Sequence, residues 1–103
     1  MANENGDVAR KGDTFDTGHG CTSSSTLDAP TQSIVKIEGE YVARLDDPTV
    51  SHSHNPPACP DHVEKVRGSS QVVKIVGKLV GRVGDACDAG TITSGSTVVN
   101  IGE

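Results

Sequence analysis

The chain has 103 residues, enough for one small domain over 1–103. Hydrophobic residues make up 33% of it, with one Phe, one Tyr and no Trp, so any core must be thin. Small domains with thin cores usually gain stability from disulfides, a metal ion or an oligomeric partner. The net charge of −5 is spread along the chain without a basic stripe, which argues against nucleic-acid binding.

The composition also favours one fold class. The 12 glycines, together with many Ser and Thr, are typical of turns and short strands, so we predict an all-β fold with almost no helix. No apolar run approaches the ~20 residues that span a bilayer, and the polar, acidic N-terminus is not typical of a secretory signal. We therefore expect synthesis in the cytoplasm, with any later export by another machine.

The predicted elements alternate between short repeated strands and three longer segments, which we call excursions. In chain order they are a loose lead-in over 1–7, a strand at 8–10, the first excursion over 14–31, a hairpin over 32–47, the second excursion over 48–69, a second hairpin over 70–85, the third excursion over 86–94 and a last strand over 96–101. The Ser/Thr run at 22–26 lies between repeated strands, which favours an ordered loop over a flexible linker.

The two hairpins are copies of one motif. Residues 33–47 match residues 71–85, keeping a Val-Lys-Ile core, a Gly turn, a Val-x-Arg and a final Asp in register. A third copy is split, with its end at 8–13 and its beginning at 95–102. If these halves pair, the chain closes into a ring of three hairpins with approximate threefold symmetry, whereas an open solenoid needs capping repeats. The alternative is a chance likeness of Val-rich hairpins, which the constant Gly, Arg and Asp offsets disfavour.

All the histidines and cysteines lie in the excursions. They are His19, His52, His54, His62, Cys21, Cys59 and Cys87. Each excursion follows the terminal Asp of a repeat (Asp13, Asp47 and Asp85), so symmetry predicts that all three lie at one end of the molecule. Histidine and cysteinate together suit tetrahedral Zn²⁺, and we therefore predict a shared metal site.

Two other interpretations of these residues remain open. A single histidine in a loop is often no more than a solvated side chain. Cys21 and Cys59 are consistent with small buried fillers or with a disulfide, although the odd number of cysteines argues against a full disulfide framework.

Several segments resemble the PAAR-repeat family, which forms the pointed tips of spikes in type VI secretion systems and contractile phage tails. They are residues 8–13 (VARKGD), 17–21 (TGHGC), 42–44 (VAR), 80–85 (VGRVGD) and 94–102 (SGSTVVNIG). The chain departs from the family in having Tyr41 and Leu79 in place of the proline of the namesake motif. It also has Asp46 in place of the usual Gly before Asp47.

The resemblance implies a small conical fold with pseudo-threefold hairpin repeats and an apex held by Zn²⁺. Family members bind the metal through three histidines and one cysteine. By position these are His19, His52, His62 and Cys87 in this chain, with Cys59 as an alternative to Cys87 and His54 as an alternative to His52.

The implied function is structural, not enzymatic. One monomer would cap a trimeric β-helical spike protein and contact the target membrane transiently as the machine contracts. An effector is a possible further partner, although the chain has little sequence beyond the repeats to serve as one. It would be located at the tip of a virion tail or secretion spike and delivered through the target cell envelope. The rival interpretations are a small zinc metalloenzyme, with Glu40, Asp61 or Glu64 as the base, and a zinc-stabilised adaptor that docks an effector onto a spike.

Overall fold

The computed structural model describes residues 6–67 and 73–101 and contains only β structure there. Within these described residues, ten short strands form five two-stranded antiparallel sheets. They are β1 (Thr14–Asp16) with β2 (Ser24–Thr26), β3 (Lys36–Ile37) with β4 (Glu40–Tyr41), β5 (His52–Ser53) with β6 (Asp61–His62), β7 (Lys74–Ile75) with β8 (Lys78–Leu79), and β9 (Ala86–Cys87) with β10 (Gly90–Thr91). The described part of the chain has no helix that is long and apolar enough to cross a membrane. The prediction of an all-β fold is confirmed.

A closed circuit of three hydrogen bonds lies at the centre of the molecule. The amide of Ala9 donates to the carbonyl of Gly81, the amide of Gly81 to Ala43, and the amide of Ala43 to Ala9, each at 2.9 Å. We call residues 8–10, 42–44 and 80–82 the central ring. Three antiparallel bridges surround the circuit, namely Val8↔Arg82, Arg10↔Val42 and Arg44↔Val80. The three copies of the motif are therefore related by approximate threefold symmetry.

Each segment of the central ring ends in the same turn. The Arg amide donates to the carboxylate of an Asp three residues later at 2.8–2.9 Å, and the Asp amide donates back to the Arg carbonyl at 3.0 Å. The guanidinium group also contacts that carboxylate. The pairs are Arg10–Asp13, Arg44–Asp47 and Arg82–Asp85. This turn is the physical reason for the Arg and Asp offsets of the repeat.

The residue before each turn Asp adopts a left-handed backbone conformation. Its φ is 87° at Gly12, 71° at Asp46 and 94° at Gly84. Asp is one of the few residues with a side chain that tolerate this region, so Asp46 keeps the geometry of the two glycines.

Two hairpins and a split third one lie on one face of the ring. The β3–β4 and β7–β8 turns both have positive φ at their two central residues, as a type I′ turn requires. In the third copy the first and last described segments meet, because Asp7 bridges Asn100 and the amide of Ile101 donates to the carbonyl of Gly6 at 2.7 Å. Gly6 and Asp7 were predicted as part of a loose lead-in; they belong to this third copy instead. Residues 1–5, 68–72 and 102–103 of the predicted elements lie outside the described residues.

The ring separates two apolar clusters. Val8, Val42 and Val80 are buried on one side, where the hairpins pack, and we call this the hairpin face. Ala9 and Ala43 point to the other side and join the main core, because successive side chains along an extended chain point to opposite faces. We call this second side the excursion face. The other members of its core are Phe15, Leu27, Val66, Val83, Cys87 and Ile92.

Each excursion is anchored by a short strand pair. Each contains one short hairpin (β1–β2, β5–β6 and β9–β10), and bridges join the excursions in a second closed circuit. The bridges are Leu27↔Thr49, Val66↔Cys87 and Phe15↔Ile92. The Ser/Thr run is therefore ordered, as predicted, and most of it lies in β2.

Candidate metal centre

Four side chains from the three excursions converge on the excursion face. His19, His52, His62 and Asp88 each offer one ligand atom, and these atoms all lie within 4.8 Å of one another. His19 and His52 are buried, and His62 and Asp88 are half-buried. The group can hold a metal ion.

His19 is positioned by the buried Thr17. The Thr17 hydroxyl accepts a hydrogen bond from the amide of His19 at 3.0 Å, and the Thr17 carbonyl accepts one from the amide of Ala89 at 3.2 Å. Gly18 permits this close approach, because a Cβ at its φ of +77° would lie 2.7 Å from the Ala89 carbonyl oxygen. The first excursion is thus held against the turn that carries Asp88.

His52 and His62 are directly opposite each other on β5 and β6. Opposite residues of an antiparallel pair project their side chains to the same side, so one hairpin delivers two imidazoles. The ring of Phe15 packs edge-on against His52 with centroids 5.5 Å apart, which places the metal-binding group directly above the core.

Asp88 comes from the tightest of the three excursions. Cys87 pairs with Gly90, so Asp88 and Ala89 form a two-residue turn between β9 and β10. Asp88 has a φ of 56°, a conformation that Asp adopts more readily than most residues. The turn presents its carboxylate to the histidines of both other excursions.

The contacts of His52 leave a place for a proton or a metal ion in this group. His52 Nδ1 donates to the carbonyl of Val50 at 2.8 Å, which in the neutral ring leaves Nε2 without a proton. That Nε2 lies 2.7 Å from Asp88 Oδ2 and 2.9 Å from His62 Nε2. Since an unprotonated imidazole nitrogen and a carboxylate oxygen are both acceptors, a proton or a metal ion has to lie between them.

The spacing of the ligand atoms can be compared with that around a tetrahedral ion. Metal–ligand bonds of about 2.0–2.1 Å place neighbouring ligands about 3.3 Å apart in a tetrahedron. The distances to Asp88 carboxylate oxygens are 2.8 Å from His19 Nε2, 2.7 Å from His52 Nε2 and 3.3 Å from His62 Nε2. The first of these distances ends on Oδ1 and the other two on Oδ2, and the four ligand atoms lie within 4.8 Å of one another, so the side chains have to shift before one ion can contact all four.

Electrostatics keep Asp88 in its anionic, ligating form. Desolvation raises the pKa of Asp88, but the close contacts of its carboxylate with the imidazoles of His52, His19 and His62 outweigh it, so the pKa lies below its ordinary value. On the outer side of His62, Nδ1 lies 3.9 Å from Glu64, which also pairs with Arg67. At this distance Glu64 makes a charge contact with His62 but no hydrogen bond.

Three of the six predicted candidate ligands lie in the group, namely His19, His52 and His62. His54 lies beside it, with its ring centroid 4.0 Å from that of His19 and 4.6 Å from that of His62. Cys59 is bonded to Cys21 in a disulfide, one of the alternatives that the sequence left open, so its sulfur is not a free thiolate.

Cys87 lies in the core and not with the histidines. It is the second residue after its turn Asp, as Phe15 and Thr49 are after theirs, and all three are fully buried. Burial raises the pKa of the Cys87 thiol to about 12, which disfavours the thiolate that binds metal. Asp88, which was not among the predicted ligands, is the fourth member of the group. The sequence signal that could have indicated Asp88 as a ligand was its position next to Cys87, which was predicted to be one.

Comparison with known proteins gives no further assignment: the sequence matches neither a protein-family model nor a curated protein.

Proposed function

We propose that this protein is a PAAR-like spike tip: a conical, zinc-stabilised domain that caps a trimeric β-helical spike of a contractile injection machine and pierces the target membrane. The observation that carries this proposal is the closed threefold ring with the metal-binding group on one face and the hairpins on the other. The proposal places the protein at the tip of a phage tail or type VI secretion spike, in transient contact with the target envelope.

Zinc suits the four ligands. Three imidazoles and one carboxylate form a nitrogen and oxygen donor set that Zn²⁺ accepts, and four protein ligands are typical of a structural site. One ligand comes from the first excursion, two from the second and one from the third, so the ion would tie all three together. Strands of two or three residues offer few hydrogen bonds against deformation, and a metal joining their ends supplies the missing resistance.

The hairpin face suits a threefold partner. Partly buried apolar side chains repeat there in equivalent positions: Val35, Val73 and Val99, and Ile37, Ile75 and Ile101. Ile34 and Val98, which also occupy equivalent positions, are 75% and 72% exposed. A monomer with threefold repetition can cover the open strand edges at the end of a trimer.

A structural role fits these residues better than the two rival roles. Glu40 lies in a hairpin on the far side of the ring from the metal-binding group, and Glu64 is engaged by Arg67. A zinc enzyme keeps one coordination position open for water, and here Asp88 supplies a fourth protein ligand. The adaptor role overlaps the main proposal and differs only in requiring an attached effector.

Substitution of the histidine ligands tests whether the protein binds zinc and is stabilised by it. His19→Ala and His62→Ala each remove one imidazole, and we expect both to lose bound zinc and to melt at least about 10 °C below the zinc-loaded protein. Metal content by mass spectrometry and thermal unfolding with and without EDTA are the measurements. The control is Asp61→Ala, an exposed neighbour of His62 outside the group. Unchanged metal content and melting in both histidine variants would contradict the structural metal.

Capping is tested by stoichiometry. The chain is mixed with the trimeric β-helical protein encoded beside it, and native mass spectrometry should find one monomer per trimer. Ile34→Asp and Val98→Asp alter exposed positions of the hairpin face and should abolish the complex while leaving the metal bound. Three monomers per trimer, or no complex, would contradict the proposal.

A further inference from the structure

A disulfide joins two of the excursions beside the metal-binding group. Cys21 of the first excursion is bonded to Cys59 of the second, with Cα atoms 5.9 Å apart. The amide of Cys21 donates to the carbonyl of His54 at 3.1 Å, and the amide of Gly20 donates to Asn55 Oδ1 at 2.9 Å. Both cysteines are half-buried, so a reductant can reach the bond.

The bond lies close in sequence to ligands on both sides. Cys21 follows His19 by two residues, and Cys59 precedes His62 by three. The same two excursions also pair through Leu27 and Thr49, close to the turns of the central ring. Towards the metal-binding group, the disulfide fixes the distance between the segment that bears His19 and the hairpin that bears His52 and His62.

We propose that the Cys21–Cys59 disulfide positions the metal ligands, so that closing it tightens metal binding and binding the metal makes it harder to reduce. The inference rests on the metal site of the proposed function. With the bond closed, the loop entropy of bringing the two excursions together is already removed, whereas in the reduced protein the metal has to order them itself. Coupling between two equilibria is reciprocal, so the effect of one on the other has the same magnitude in both directions.

The redox step is a two-electron exchange. Two molecules of glutathione supply the electrons, the Cys21–Cys59 bond breaks, each cysteine ends as a thiol, and one molecule of glutathione disulfide forms. Trialkylphosphine reduces the same bond with water as the source of oxygen for the phosphine oxide. Cys87 takes no part, since it is fully buried in the core.

The first measurement is zinc affinity by competition with a chromophoric chelator. It compares the oxidised protein, the phosphine-reduced protein and the Cys21→Ser/Cys59→Ser double variant. We expect both forms without the bond to bind zinc at least about tenfold more weakly, because each lacks the constraint. The control is Ile37→Ala, which removes apolar contacts on the hairpin face and should leave zinc affinity unchanged.

The second measurement is the reduction potential of the bond in glutathione buffers, with free zinc either held constant or removed. A tenfold coupling corresponds to a shift of about 30 mV towards more negative potential when zinc is present. If reduction of the disulfide is not coupled to metal binding, the reduction potential will not depend on zinc.

The outcomes separate this inference from the metal site itself. Equal zinc affinity in the oxidised and reduced proteins, with no shift in potential, overturns the coupling and leaves the site intact. Tight binding by the reduced protein but not by the double variant also overturns it, because the thiolates would then be ligands. Absence of zinc binding in every form overturns the coupling and the zinc site together.

Discussion

Residues that follow the three turn aspartates by the same number of positions occupy equivalent places in the structure. Their position in the repeat therefore determines whether the side chain faces the core or the metal-binding group. The second residue after each Asp is Phe15, Thr49 or Cys87, and all three are buried in the core. The neighbouring Asp88 lies in a turn and points to the histidines. Cys87 therefore packs in the core, whereas the adjacent Asp88 belongs to the metal-binding group.

This assignment predicts opposite results for two adjacent substitutions. Cys87→Ala should lower the free energy of unfolding by about 1 kcal/mol, because it leaves a small cavity, and should keep the metal. Asp88→Asn keeps the shape but removes the charge, and should weaken zinc affinity at least about tenfold. Chelator competition and urea denaturation measure the two effects. Loss of metal from Cys87→Ala with retention in Asp88→Asn would reverse the assignment.

Gly81 is the one member of the hydrogen-bonded circuit that lacks a Cβ. A Cβ there would lie 3.4 Å from the Ala43 carbonyl oxygen and from Val66 Cγ1, which is ordinary contact. Gly81→Ala should therefore stabilise the protein by about 0.4–1 kcal/mol, since it reduces the entropy of the unfolded chain. Gly90→Ala is the contrasting control, because its Cβ would lie 1.9 Å from the Asp16 carbonyl oxygen. Urea denaturation should give opposite signs, and a destabilised Gly81→Ala would refute the equivalence of the three positions.

At the scale of elements, the β7–β8 turn contains a residue that does not suit it. Val76 has a φ of 50°, which β-branched side chains adopt only with strain, and it is 50% exposed. Type I′ turns prefer Asn-Gly, so Val76→Asn should raise the free energy of unfolding by about 1 kcal/mol. The hydrogen bond from Arg44 to the Val76 carbonyl involves only the backbone of residue 76 and is retained.

Glu38 occupies the same position in the β3–β4 turn and provides the comparison. Its carboxylate accepts hydrogen bonds from Ser96 Oγ at 2.6 Å and Arg10 Nη1 at 3.2 Å. Glu38→Asn improves the turn but removes these contacts, so it should stabilise less than Val76→Asn or destabilise the protein. Thermal unfolding of both variants tests this order, and an equal gain in both would contradict it.

The repeated motif made the elements of the ring predictable, because its Arg, Gly and Asp perform local tasks that need no knowledge of distant residues. The convergence of the excursions followed from the same symmetry, and with it the proximity of His19, His52 and His62. Asp88 was not predictable, since Asp is common and a two-residue turn sets its direction. The choice between a disulfide and separate thiols at Cys21 and Cys59 also depended on how the excursions pack, which no local pattern records.

At the scale of the whole molecule, the third hairpin differs from the others in lacking a covalent turn. Asp7 pairs with Asn100, and Ile101 with Gly6, as the strand residues do in the two intact hairpins. A permuted chain with Asn-Gly joining Ile101 to Gly6, and with new ends between Val76 and Gly77, should fold and bind metal as the parent does. Circular dichroism and zinc titration test this. A permutant opened between His52 and Ser53 is the control and should lose the metal.

The circuit of amide-to-carbonyl bonds among Ala9, Ala43 and Gly81 has a final consequence for how such a chain can evolve. A stack of repeats grows by adding another unit at either end, but here every unit already donates one bond to the unit before it, the first unit donating to the last, and accepts one from the unit after it. A fourth copy could not join this circuit, because the amides and carbonyls that form it are already paired with one another. The ring itself can therefore change in size only through the segments between the copies, so that longer excursions, rather than more repeats, can vary it.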